Sequence, residues 1–180
     1  MNAILSYGIA GPAAARIRSA RLADRLEAGA RALIAFARPL SEAQWRTTVP
    51  GDGRTVGVIV HHVASVYPLE IRLAQMVAAG TPIVGVTPAT VHEMNAAHAV
   101  EFCDATKAET LALLAENSAD AAGAIRALGA DDLDGAVPVS LYGGAELTCQ
   151  FVLEDHAVRH SLHHLDRLRA ALQHAAHASR

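Results

Sequence analysis

Four of the chain's ten histidines fall between Asp155 and Arg167, and three of them, His156, His160 and His164, recur every fourth residue. At 3.6 residues per turn, residues four apart stand one above the other on a helix face. Imidazoles paired in this way can close on one cation, the geometry that HExxH helices use to hold zinc. A second doublet, His61-His62, lies in the apolar run Val56–Val66. Zinc, nickel and iron(II) all accept imidazole, so the ligand type speaks for a divalent metal without choosing one. Three neutral imidazoles with open coordination positions describe a catalytic ion; closed structural sites use four protein ligands, commonly thiolates.

These residues must be placed by helices. The first predicted helix runs from Ala13 to Arg38, with Leu22, Leu26, Leu33 and Phe36 at helical spacing and Pro39 as its stop. Ser41-Glu42-Ala43-Gln44 is a capping box and predicts a short extra helix carrying Trp45. Val49–Gly53 reads as a loop, and Thr55 as the N-cap of a second long helix from Val56 to Ala79, kinked at Pro68 and ended by Gly80 and Pro82. Residues 80–88 are a loop punctuated by Pro and Gly. Thr90–Glu93 and Thr106–Glu109 match capping boxes, giving either one long third helix broken near Asp104 or two that abut there. From Gly129 to Gly144 the chain is loop-like, with Val137-Pro138-Val139 extended, and the histidine helix follows from Ala145 to Leu172. Four principal helices and no convincing strand predict an all-α four-helix bundle, one domain over residues 1–180.

Composition agrees. Apolar residues make up 52%, charged ones 18% and aromatics 4%, which suits close-packed helices and excludes a disordered chain. A net charge of -3, with the arginines scattered, provides no basic footprint for nucleic acid. Cys103 and Cys149 are too few for a disulfide framework and lack CxxC spacing, so a reduced, cytoplasmic setting is expected. Met1–Ala15 has no basic leader region, and no apolar run is long enough to span a bilayer, so no membrane association is expected.

A helical wheel sorts the histidines. Val56, Ile59, Val63, Val66, Leu73 and Val77 form one arc with His62 at its edge and His61 outside it. On the last helix Leu147, Phe151, Val158, Leu165 and Leu172 form the stripe, and His160 and His164 lie more than about 90° from its centre. They share a face with Cys149 and Arg167. That face is either a solvated surface or one wall of a groove against the second helix. A third histidine on the facing helix favours the groove and a metal.

Two segments resemble the DinB/YfiT-like superfamily of bacterial four-helix metal proteins. Thr55-Val56-Gly57-Val58-Ile59-Val60-His61-His62 is similar to the family's pattern of Thr or Ser followed seven residues later by a ligand histidine. His160-Ser161-Leu162-His163-His164 resembles the H-x-x-H-H signature whose first and last histidines bind metal. The resemblance spans about residues 15–175 and implies His62, His160 and His164 as metal ligands. The chain departs from it at Leu165-Asp166-Arg167, where many members carry Arg-Gly-Gln, at Arg54, where an aromatic is usual, and at Val58, where an acidic residue is frequent.

The resemblance further implies a divalent-metal protein, often a homodimer, acting on a small molecule. The leading expectation is a thiol S-transferase, in which a low-molecular-weight thiol held as thiolate attacks an electrophile in the groove. His156 or His163 would shuttle the proton or support a ligand, since imidazole titrates near neutral pH. The alternatives are hydrolysis by metal-activated water, with Glu154, Asp155 or Asp166 as base, and a non-catalytic metal-binding dimer. Arg159 or Arg167 would orient an anionic substrate or simply be solvated. Cys149 and Cys103 read as packing residues, and Trp45, Tyr67 and Tyr142 as core or groove lining.

Overall fold

The computed structural model describes residues 12–178, so the reading of Met1–Gly11 lies outside the described residues. Helix α1 (Pro12–Ala37) is followed by the single turn α2 (Glu42–Trp45), whose capping box is formed as expected by Ser41 and Gln44. Then come α3 (Val56–Ala78), α4 (Pro88–Glu101), α5 (Lys107–Arg126) and the short α6 (Ala130–Asp134). A hairpin of β1 (Ala136–Val139) and β2 (Ala145–Thr148) precedes α7 (Cys149–Val152), a π-helical segment (Leu153–Val158) and α8 (Arg159–Ala178), which run on as one helix. α1, α3, α5 and the α7–α8 helix form a four-helix bundle. α1 packs on α5 and α8, and α3 packs on α5 and α8 to close the ring.

The core is one contiguous cluster drawn from all four helices, including Leu26 and Leu33, Ile59 and Val63, Leu114 and Ile125, and Leu165 and Leu168. Trp45 plugs one end of it. A Cβ on Gly57 would stand 2.5 Å from Trp45 Nε1, so only glycine lets the indole lie against α3, and Nε1 donates to Ala105 O at 3.0 Å. Between α3 and α8, the buried hydroxyls of Tyr67 and Ser161 meet at 2.6 Å. That bond links the two histidine-bearing helices.

Pro68 lies inside α3, as expected. Its missing N–H would leave the Ala64 carbonyl without its helical donor. Asn117 of α5 replaces it, donating from Nδ2 to Ala64 O at 2.8 Å.

Several expectations need correcting. The third helix is two helices, and α4 starts at Pro88 with a Thr87–Thr90 capping box; Thr90 is therefore inside the helix rather than its cap. Residues 145–148 are strand, not helix: Val137, Pro138 and Val139 pair antiparallel with Leu147, Glu146 and Ala145. Thr148 is the true N-cap, its hydroxyl accepting from Phe151 N. Cys103 is exposed rather than packed, whereas Cys149 is buried.

The expected stripe of the last helix also fails in its first half, because Leu147 is in β2 and Phe151 is 40% exposed. Leu147 is lost to the hairpin, and Phe151 is out of phase with Val158 and Leu165 because between them lies the π segment. It takes one more residue per turn than an α-helix, and each extra residue turns everything after it by about 100°. An unbroken α-helix with Cys149, Val152 and Leu153 on its buried face would also turn His156, His160 and His163 inward. Instead the buried positions are Ala157, Ser161, His164 and Leu168.

Candidate metal centre

The π segment thus decides which histidine of the doublet enters the bundle. His164 is 6% exposed, whereas His163 is exposed and rests the edge of its ring on His164. His62, at 9% exposure, comes from α3 opposite, and half-buried His160 completes the group. One ring nitrogen from each of His62, His160 and His164 can be chosen so that all lie within 4.8 Å of one another. His62 Nε2 and His160 Nε2 are 3.2 Å apart. Two nitrogens at about 2.0–2.1 Å from one tetrahedral ion stand about 3.3 Å apart, so this spacing fits. The buried Nδ1 of His164 has no hydrogen-bond partner.

Their surroundings keep the His62 and His164 rings neutral, the form that binds metal. Burial first, then the neighbouring His160, lowers His62 to about 3 and His164 to about 2. Glu70, absent from the sequence expectations, completes the arrangement. Its Oε1 is 2.5 Å from His160 Nδ1, and its side chain is 5% exposed. Accepting from Nδ1–H leaves the His160 Nε2 lone pair facing His62, as in the carboxylate–histidine pairs that support metal ligands. The signal was present: Glu70 is the only acidic residue of α3 and lies eight residues, about two turns, after His62 on the same face.

His61 is not outside the bundle but buried, at 8% exposure. The wheel counted only the apolar arc of α3, whereas α4 covers the neighbouring face. There His61 Nδ1 is 2.9 Å from His98 Nε2, and its ring stacks on Phe102 with centroids 4.0 Å apart. His98 also sets its ring edge-on to His62. His98 was not visible as a site neighbour in the sequence, because α4 has no buried residue and almost no amphipathic pattern.

The three histidines face a cleft of about 920 Å³ between α3, α4, α8 and the 51–54 loop. His156 lines it and lies 3.2 Å from the Tyr142 hydroxyl, which donates to Asp155. None of the carboxylates expected as bases lines the cleft: Glu154 pairs with Arg25, Asp155 with Tyr142 and Arg159, and Asp166 is exposed. Arg159 therefore has a structural partner, while Arg167 reaches Asp52 on the cleft wall. Cys149 is fully buried and does not line the cleft, and burial pushes its thiol up to about 11. Trp45 and Tyr67 are core residues.

No helix among the described residues is long and apolar enough to cross a membrane. A search of curated proteins found no match. Among solved structures, YfiT from Bacillus subtilis, described as a probable metal-dependent hydrolase with an unusual four-helix bundle topology, superposes with a TM-score of 0.70. The two are 18% identical, and the match covers 88% of this chain and 87% of YfiT, a likeness of fold. The sequence model of the DinB superfamily matches residues 25–168, which include all three clustered histidines and Glu70, and the chain belongs to that superfamily.

Proposed function

We propose that this chain is a divalent-metal-dependent hydrolase of small molecules, with His62, His160 and His164 as the metal ligands. The observation that carries the proposal is the convergence of three imidazoles on one point at the floor of a cleft. What a divalent ion supplies when bound there is Lewis-acid activation of a water or thiol to near-neutral acidity. The protein's own contribution begins with Glu70, which fixes the His160 tautomer. Burial keeps His62 and His164 unprotonated. His156, on the cleft wall and linked through Tyr142 to Asp155, is placed to take up a proton released in the cleft. YfiT's description as a probable metal-dependent hydrolase is consistent with this reading.

Thiol transfer, the leading expectation from the sequence, would use the same three ligands. What favours it as second reading is that none of the expected bases Glu154, Asp155 and Asp166 lines the cleft. A thiol needs no such base once held as thiolate.

The test is metal analysis of untagged protein, followed by turnover of ester and amide panels with and without glutathione or mycothiol. About one metal per chain, lost in His62→Ala and His164→Ala and kept in His61→Ala, supports the ligand set. Turnover without thiol supports hydrolysis, turnover only with thiol supports transfer, and a metal content below about 0.2 per chain refutes both.

A further inference from the structure

The loop before α3 builds a charged cluster at the histidine end of the cleft. Asp52 accepts from Arg54 Nε at 2.6 Å and Arg54 Nη2 at 3.0 Å, and it is also 3.0 Å from Arg167 Nη2. The Asp52 side chain is 7% exposed, so one buried carboxylate holds two guanidiniums in fixed orientation. Glu70, the other carboxylate lining the cleft, is held at His160 Nδ1, so at this wall two guanidiniums share one carboxylate. Arg54 Nη1 is buried without an acceptor. Arg167, its side chain 39% exposed, has only Asp52 as an ion-pair partner among the described residues, so its remaining donors stay free at the cleft. It follows His164 by three residues, which places it on the same face one turn further along α8. Beyond the polar groups Glu70, His92, Asn95 and His156, the cleft wall is apolar, with Val66, Leu69 and Leu73 of α3, Val91 of α4 and Leu141 all half-buried along it.

Guanidinium donors without a second acceptor at one end, and apolar side chains along the other, complement an amphiphilic anion. We propose that the cleft recognises a small carboxylate with an apolar body. The carboxylate lies on the Arg167 guanidinium beside Arg54, whose planar fork matches two carboxylate oxygens. The apolar body lies between α3 and α4. This names the substrate class of the proposed hydrolase, and it rests on that reading only for which end of the substrate meets the reacting centre.

Isothermal titration of octanoate, octanol and octylamine into metal-stripped and zinc-loaded protein tests it, with Arg167→Met as the variant. Wild-type protein is expected to bind octanoate at least about tenfold more tightly than octanol in the metal-stripped form, with octylamine weakest. Arg167→Met is expected to weaken octanoate about tenfold, the loss of one charge-assisted hydrogen bond, and to leave octanol unchanged. Thermal unfolding of the variant confirms that it is folded. Equal affinity for octanoate and octanol, no octanoate binding, or undiminished octanoate binding by Arg167→Met overturns the proposal. If metal-stripped protein prefers octanoate through Arg167 but zinc does not bind, the anion subsite stands and the metal reading falls. Zinc binding without that preference gives the reverse.

Discussion

Replacing Glu70 by Gln is the sharpest single test of how the histidine cluster is held. The Glu70 carboxylate lies 2.5 Å from His160 Nδ1, with the two side chains 5% and 16% exposed. Glutamine keeps the shape and a carbonyl that accepts from Nδ1–H, but it loses the charge. Charge-assisted hydrogen bonds are about twice as strong as neutral ones. Removing such a supporting partner typically weakens metal binding by about 10- to 100-fold, or about 1.4–2.7 kcal/mol. Glu70→Gln should fall near the lower figure. Glu70→Leu, which leaves Nδ1–H buried without an acceptor, should fall near the upper. The measurement is zinc affinity by competition with a chromophoric chelator, together with the visible spectrum of the cobalt(II) form, which reports ligand geometry. A purely structural role would lower thermal stability without moving that spectrum. If both variants bind zinc within about twofold of wild type and the cobalt spectrum is unchanged, Glu70 does not act through His160.

Other expectations follow from the same geometry. In metal-stripped protein, His62 and His164 resist protonation in the fold, at about 3 and about 2, against 6.5 when exposed. The unfolded chain therefore binds protons that the folded one does not. Stability is fully present above pH 6.5 and is lost as pH falls toward the folded values, by at most about 3 kcal/mol per histidine at pH 4. Urea titrations at stepped pH check this, and a flat profile between pH 7 and 4 would contradict it. Gly57→Ala should drive a Cβ into the indole and cost about 2 kcal/mol or more. Because Trp45 is the only tryptophan, a red-shifted fluorescence maximum would report its displacement. Tyr67→Phe leaves the buried Ser161 hydroxyl without its partner and should cost about 1–2 kcal/mol in denaturant unfolding. Asn117→Ala strands the Ala64 carbonyl beside Pro68 and should cost a similar amount.

The long helices were legible because their signals are local. Thr55 and Thr106 cap where a polar side chain can meet a free N–H, and apolar spacing on α1 and α3 follows the 3.6-residue period. The three clustered histidines were legible in part for a related reason: His160 and His164 are one turn apart on any helix, the wheel put His62 at the edge of the α3 apolar arc, and the resemblance carried by the H-x-x-H-H and Thr-to-His motifs implied the same three. The hairpin was missed because Ala145–Thr148 is short and only half-buried, with no alternation to betray it. The α4 cap was misplaced because two threonines, Thr87 and Thr90, each sit three residues ahead of a residue able to reciprocate.

The sequence by itself thus determined the long helices and the caps at Ser41, Thr55 and Thr106, and its family resemblance pointed to the three histidines that cluster. The helices and caps follow from bonds within a turn or two of chain. Which way each ring faces was decided only by tertiary structure. The π segment's extra residue turns His164 inward and His163 out, α4 buries His61 against His98, and Glu70 reaches His160 across two helices. Each of these depends on a helix phase or a neighbour far away in the chain, and no local spacing encodes either.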